Sequence, residues 1–200
     1  MKGPAFAAAV FSCLLATCVG AQTTSPKTGY TEKEYSAMLY CVGLTDTAWT
    51  NAEQKLQGVS LEDAKKRYEG KLDGNQKTLV LRIVDRVYGD SFKSSWDYAV
   101  SFFSECGQNL ANVPPERTAL AGYCMQNSMI AMTAQGYQDA GWPAEKVYEH
   151  FAKLGNGPGS TPRSVIDWVY ANACTRANAG VEEWKACMAP LRAKEPSPSK

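Results

Sequence analysis

The sequence predicts an all-α fold made of two tandem four-helix repeats, each stapled by a disulfide. Three observations predict it. Apolar residues recur at helical spacing between helix-capping residues. Short motifs of the first half return in the same order 81 to 83 residues later. In each half one cysteine falls in the first helix and one in the last.

The motif pairs are specific. Tyr40-Cys41 returns as Tyr123-Cys124, and Gly58 returns as Gly141 at the same offset. Ile83-Val84-Asp85-Arg86-Val87-Tyr88 is matched by Val165-Ile166-Asp167-Trp168-Val169-Tyr170. Phe103 and Cys106 are matched by Trp184 and Cys187. Offsets that drift by one residue at loops are what a diverged duplication leaves, and fixed-period self-similarity is the sequence mark of repeated units.

The first helix opens on a capping box, with Thr31 and Glu34 bonding reciprocally. Tyr35, Met38, Leu39, Val42 and Trp49 then give it an apolar face, and Gly58 stops it. Ser60 caps the second helix, with Glu62 and Asp63 where the helix dipole favours acids. The third carries Leu79, Ile83, Val84 and Val87 and closes at Gly89. Thr78-Leu79-Val80-Leu81 is the best strand candidate, but it continues into a helical stripe. Ser94 with Asp97 caps the fourth, which carries Tyr98, Phe102, Phe103 and Cys106. Gly107 to Thr118 contains Pro114-Pro115, has no helical period and reads as the connector. Helices over 117–140, 143–154, 162–177 and 181–191 follow, with Pro143 and Pro162 at first helical positions.

The chain opens Met1-Lys2-Gly3-Pro4, then runs apolar from Ala5 to Val19. One positive charge, a short apolar run and the small residues Val19-Gly20-Ala21 are the layout of a cleaved secretory signal peptide over 1–21. The run is short for spanning a bilayer. Leu15-Ala16-Thr17-Cys18 also resembles the lipobox of bacterial lipoproteins, which would make Cys18 the first mature residue; Thr17 departs from the small residue usual there. The expected organisation is then a flexible segment at 22–30, repeat 1 at 31–112, repeat 2 at 113–191 and a disordered tail at 192–200. The address is periplasmic or secreted, with no integral membrane segment once the signal is removed.

The net charge is +1, and the loss of Lys2 with the leader leaves a neutral mature chain. Neutrality without a basic run argues against nucleic acid as a partner. Five of seven cysteines stay after cleavage: Cys41, Cys106, Cys124, Cys174 and Cys187. In an oxidising compartment disulfides are the default. Separations of 65 and 63 residues predict Cys41 with Cys106 and Cys124 with Cys187. Cys174 has no counterpart and reads as a buried free thiol, or as a link between two copies. It also competes with Cys187 for Cys124. Zinc is disfavoured, because there is no CxxC pair and His150 is the only histidine.

The candidate chemistry is thin. His150 sits beside Glu149 in a stretch read as surface-facing, and no motif of a hydrolase, metalloprotease or nucleotide-binding loop occurs. Cys124, Met125, Met129 and Met132 have donor types suited to Cu(I). A methionine stripe at helical spacing is more simply core. Glu62 and Glu145 recur between the halves, as paired carboxylates or, more simply, as helix-start acids. The expectation is no enzyme, no cofactor, no metal and a protein partner. Trp168, which replaces Arg86 of the first half, is a candidate contact. So is the loop Gly155–Ser160, through Asn156, Gly157, Pro158 and Gly159, together with the connector.

The repeated unit is a cysteine in the first helix, a glycine before a capped second helix, Ile-Val-x-x-Val-Tyr in the third and a closing Phe-x-x-Cys. In this it resembles small exported helical proteins of Gram-negative bacteria, among them the periplasmic immunity proteins that neutralise type VI amidase effectors. That resemblance implies small helical domains with a cysteine pair, often dimeric, that inhibit a toxin. One chain here would carry two units. The duplication and Cys174 depart from the pattern, and no inhibitory loop is matched residue by residue. The alternatives are an accessory module of the envelope and a carrier of a small apolar ligand.

Overall fold

The computed structural model describes residues 29–153, 161–172 and 174–193. Eight α-helices account for most of them: α1 (Glu32–Leu56), α2 (Leu61–Lys66), α3 (Gly74–Gly89), α4 (Ser95–Ala111), α5 (Pro115–Asp139), α6 (Ala144–Lys153), α7 (Thr161–Ala171) and α8 (Arg176–Met188). A 3₁₀ turn, Ala189–Leu191, follows α8. No helix among the described residues is long and apolar enough to cross a membrane.

The helices form where local chemistry sets their ends. Thr31 and Glu34 make the expected capping box on α1, and Ser60 and Ser94 accept from the amides of Asp63 and Asp97. Both 25-residue helices end alike. Gly58 and Gly141 adopt φ of 81° and 77°, the left-handed region that a residue without Cβ enters freely. Gly58 N–H donates to Lys55 O at 3.0 Å and Val59 N–H to Gln54 O at 3.0 Å. Gly141 N–H donates to Gln138 O at 2.9 Å and Trp142 N–H to Tyr137 O at 2.9 Å. A tyrosine then reaches each turn: Tyr88 Oη donates to Val59 O at 3.0 Å, and Tyr170 Oη to Trp142 O at 2.5 Å.

Four helices share the central core. Met38, Val42 and Trp49 of α1 pack with Phe103 of α4, with Met125, Met129 and Met132 of α5, and with Trp184 and Met188 of α8. The methionine stripe is therefore buried packing. Two flanking layers complete the fold. Ile83 and Val87 of α3 pack on Ala48, Ala52 and Phe102. Val147 of α6 and Val165, Ile166 and Val169 of α7 pack on Ile130, Ala131 and Ala134.

Both expected disulfides are formed. Cys41–Cys106 ties α1 to α4 with an S–S distance of 2.01 Å, and Cys124–Cys187 ties α5 to α8 at 2.07 Å. Cys174 is a free, half-buried thiol that donates to Gln135 Oε1 at 3.1 Å.

Several boundaries differ from the sequence reading. The connector expected over Gly107–Thr118 shrinks to Asn112–Pro114. Helix α4 continues to Ala111, where Asn112 at φ 50° caps it by donating to Gly107 O, and α5 begins at Pro115. The helix expected over 162–177 stops at Ala171, and α8 starts earlier than expected, because Thr175 accepts from Asn178 N–H. Gly180, which falls just before the helix expected over 181–191, lies inside α8. A Cβ there would be 2.6 Å from Met132 Cγ and 3.0 Å from Ser128 Oγ, and Ser128 donates to Gly180 O at 2.8 Å. Glycine at this position lets α8 approach α5 closely.

The ends assigned to flexible segments are also tied down where they are described. Tyr30 and Arg192 form a parallel bridge, with Tyr30 N–H donating to Leu191 O and Ala193 N–H to Tyr30 O, both at 2.8 Å. The Arg117 guanidinium clamps this junction, donating to Gly29 O at 3.0 Å and to both Glu34 oxygens at 2.8 and 3.2 Å. Burial would raise the Glu34 carboxyl, but the hydrogen bonds from Arg117 and Thr31 outweigh it and hold it below its ordinary range.

Gly180→Ala tests the close approach. The added methyl overpacks Met132 by about 1–3 kcal/mol, against about 1 kcal/mol of gained helix propensity. A net loss of up to about 2 kcal/mol in urea denaturation is expected. Gly122→Ala is the control. Its Cβ would meet only Val100 Cγ1, at 3.9 Å, so it should be neutral or stabilising. Equal effects of the two substitutions would contradict the packing account.

Candidate functional site

A groove of about 920 Å³ lies between α4 and α5, open along one side. Val100, Ser101 and Ser104 form its α4 wall, with Trp96 and Asp97 at the start of the helix. Thr118, Ala119, Gly122, Gln126 and Ile130 form the α5 wall, and Phe151 of α6 and Pro162 of α7 close the far end. The volume falls in the range of ligand sites, and mixed apolar and polar lining is their usual character.

The groove is open because its walls are small. Ser101, Ser104, Ala119 and Gly122 face one another where longer side chains would close the seam. At the floor, Ser104 Oγ and Thr118 Oγ1 share a hydrogen bond of 2.8 Å, and Thr118 also donates to Pro115 O at 2.9 Å. At the other end Trp96 is half-buried, set edge-on to Trp49 with ring centroids 5.8 Å apart. Asp97 is exposed there, and its backbone N–H donates to Ser94 Oγ at 3.1 Å.

A second polar cluster lies at the α1–α8 seam. Arg176 Nη2 is 3.2 Å from Asp46 Oδ1, and its guanidinium is 5.4 Å from the Trp49 ring. Burial pushes the Asp46 carboxyl above its ordinary range, with Arg176 offsetting part of it. Burial also raises Glu53, partly offset by Arg176 and reinforced by Asp46. This cluster is a closed contact between helices.

The sequence candidates are dispersed. Trp168 is half-buried against the α5–α7 cluster and does not line the groove. Asn156, Gly157, Pro158 and Gly159 lie outside the described residues, as do the signal sequence, Cys18 and the tail from Lys194. His150 is half-buried, a correction to the surface-facing reading. Its Nε2 is 3.0 Å from Tyr137 Oη, inside a cluster where Tyr137 stacks on Trp142 at 4.3 Å. The Cys124 sulfur is held in its disulfide, so it is not available to a metal. Glu62 and Glu145 fall in the first turns of α2 and α6. Of the expected connector, Thr118 and Ser104 beside it reach the groove. Val100, Ser101, Ala119 and Gly122 were missed: small residues on two helices give no signal until the helices are placed side by side.

Comparison with known proteins gives no matching family model, no matching curated protein and no matching solved structure.

Glu183 gives a pH-dependent expectation. Burial alone raises its carboxyl above its ordinary range. The folded state therefore binds its proton more tightly than the unfolded state does. Its charge costs stability at neutral pH, and that cost fades as pH falls through its raised value. Glu183→Gln should therefore be more stable than the wild type at pH 7. The gain should vanish near pH 4, as read from paired thermal melts. A gain that persists at pH 4 would point to packing instead.

Proposed function

We propose that this protein is an exported, non-enzymatic binding protein, an inhibitor or immunity protein built by tandem duplication of a four-helix unit, and that the α4–α5 groove is its contact site. The observation that carries this reading is the groove itself. It is an open, partly apolar cleft between two helices that are each anchored by a disulfide. A rigid framework presenting a preformed concavity binds with little ordering cost.

The duplication has further support. The Gly58 and Gly141 helix ends, their Tyr88 and Tyr170 hydrogen bonds, the Ser94 and Thr175 caps and the two cystines all recur at matching places along the chain. The two disulfides also favour an oxidising compartment. A second reading, a carrier of a small apolar ligand, is favoured by the cleft volume, which suits one drug-sized molecule.

The test is comparative capture from periplasmic extract. Wild type and Gly122→Leu, which fills the groove, are immobilised with disulfides intact. A protein retained by the wild type and lost by Gly122→Leu supports the inhibitor reading. Lipid or another small molecule retained in its place supports the carrier. Equal retention by both proteins removes the groove from the account.

A further inference from the structure

We infer that the α4–α5 groove takes a basic segment of a partner protein. An arginine or lysine would lie along Val100 and Trp96, its charge would meet the Asp97 carboxylate, and an adjacent aliphatic or aromatic side chain would seat over Gly122. The inference rests on the groove being the binding site and on the duplication, and it names what the site selects.

The chain carries its own template for the occupant. With the two halves aligned on their cysteines and caps, the α4–α5 seam corresponds to the α8–α1 seam. That second seam is closed by the protein's own side chains. The Tyr35 ring lies 5.2 Å from Trp184, Leu39 packs against the central core, and Arg176 lies between Trp49 and Asp46. At the corresponding places the α4–α5 seam has Thr118 for Tyr35, Gly122 for Leu39 and Ser95 for Arg176. An aromatic ring, an aliphatic side chain and a guanidinium are replaced by three small residues. Thr118 and Gly122 line the groove, so the space vacated by the ring and the aliphatic side chain opens into it; Ser95 is not part of the lining but directly precedes Trp96 and Asp97, which are.

The electrostatics agree. Arg176 is held by a tryptophan face and an aspartate. The positions matching Trp49 and Asp46 are the buried Met132 and Met129, and the groove offers the same two partner types from its other wall, through Trp96 and Asp97 at the start of α4. Among the described residues no cation is paired with the Asp97 carboxylate, and it is the only charged residue lining the groove. A cation over an aromatic face beside a carboxylate gains from both. An acidic segment would meet like charge at Asp97.

The experiment uses the mature chain with both disulfides intact. Phage-displayed random peptides are selected on the wild type and counter-selected on Gly122→Leu. Should Gly122→Leu fail to fold, Ser101→Leu on the opposite wall serves instead. Enriched peptides are synthesised and titrated against wild type, Gly122→Leu and Asp97→Asn. The expected peptides carry Arg or Lys next to Leu, Phe or Tyr. Gly122→Leu should abolish their binding. Asp97→Asn should weaken it about 1.5- to fivefold, the range of an exposed ion pair, and a peptide with norleucine for its basic residue should lose that sensitivity. Groove-dependent peptides without a basic residue, or insensitivity to Asp97→Asn, would overturn the inference while the groove stays the binding site. Peptides that bind wild type and Gly122→Leu equally, or no enrichment at all, would overturn both.

Discussion

Replacing Cys124 and Cys187 together by alanine is expected to lower stability by about 4 kcal/mol. The bridge closes a 63-residue segment, and a cross-link stabilises mainly by removing conformations from the unfolded chain, more so for long loops. Cys124 is 1% exposed, so the substitution also loosens contacts with the central core. The Cys41–Cys106 bridge closes a loop of similar length, its cysteines 65 positions apart in sequence, and should count for about as much. Loss of both approaches the entire 5–15 kcal/mol typical of a folded domain. Urea denaturation of each double variant, with and without reductant, measures this. Reductant should cost the wild type as much as both double variants combined. A loss below about 1 kcal/mol per bridge would show that the unfolded chain is already compact without it.

The parts of the fold legible in the sequence are those fixed by local chemistry or by covalent distance. Thr31, Ser60 and Ser94 announce helix starts because a side-chain oxygen satisfies an orphan amide three residues on. Gly58 and Gly141 announce helix ends because the turn needs a positive φ. Cysteine spacing yields both pairings because the repeated motifs place one cysteine in each opening helix and one in each closing helix. The parts that failed depend on contacts across the molecule. Gly180 resembles a break by propensity, yet it is required in the interior of α8 by the approach of Met132 and Ser128. Tyr30 and Arg192 fall in segments read as a flexible start and a disordered tail, and their pairing depends on two segments far apart in sequence.

The candidate site was almost illegible for the same reason. Its defining property is missing volume between α4 and α5, and a run containing Ser101, Ser104, Ala119 and Gly122 has no feature that distinguishes it from an ordinary helix surface. The comparison that exposes it is internal. Leu39 and Gly122 lie 83 residues apart, the same offset as Cys41 and Cys124, and of the α1–α8 and α4–α5 seams only the first is filled by the chain's own side chains. Trp168 and the glycine-rich loop drew attention in the sequence because aromatic and mobile residues often bind. The structure places Trp168 against the second core cluster.

Trp184→Ala should cost about 3–5 kcal/mol, the range for removing a large buried aromatic. Trp184 is fully buried. Its ring lies 5.2 Å from Tyr35 of α1 and 6.3 Å from Phe103 of α4, although its own disulfide partner is α5. It therefore joins the second half of the chain to the first, and its loss opens a cavity where four helices meet. Trp184→Phe should cost less than half as much. Phe103 is the matching residue of the first half, and the Trp184 indole N–H has no hydrogen-bond partner among the described residues, so phenylalanine forfeits volume but no polar contact. Because both halves contribute to the same central core, unfolding of either variant should stay a single transition by circular dichroism and by tryptophan fluorescence. Two separated transitions in Trp184→Ala, one for each disulfide-bonded half, would mean that the halves are stable alone. The α4–α5 groove would then join two independent units.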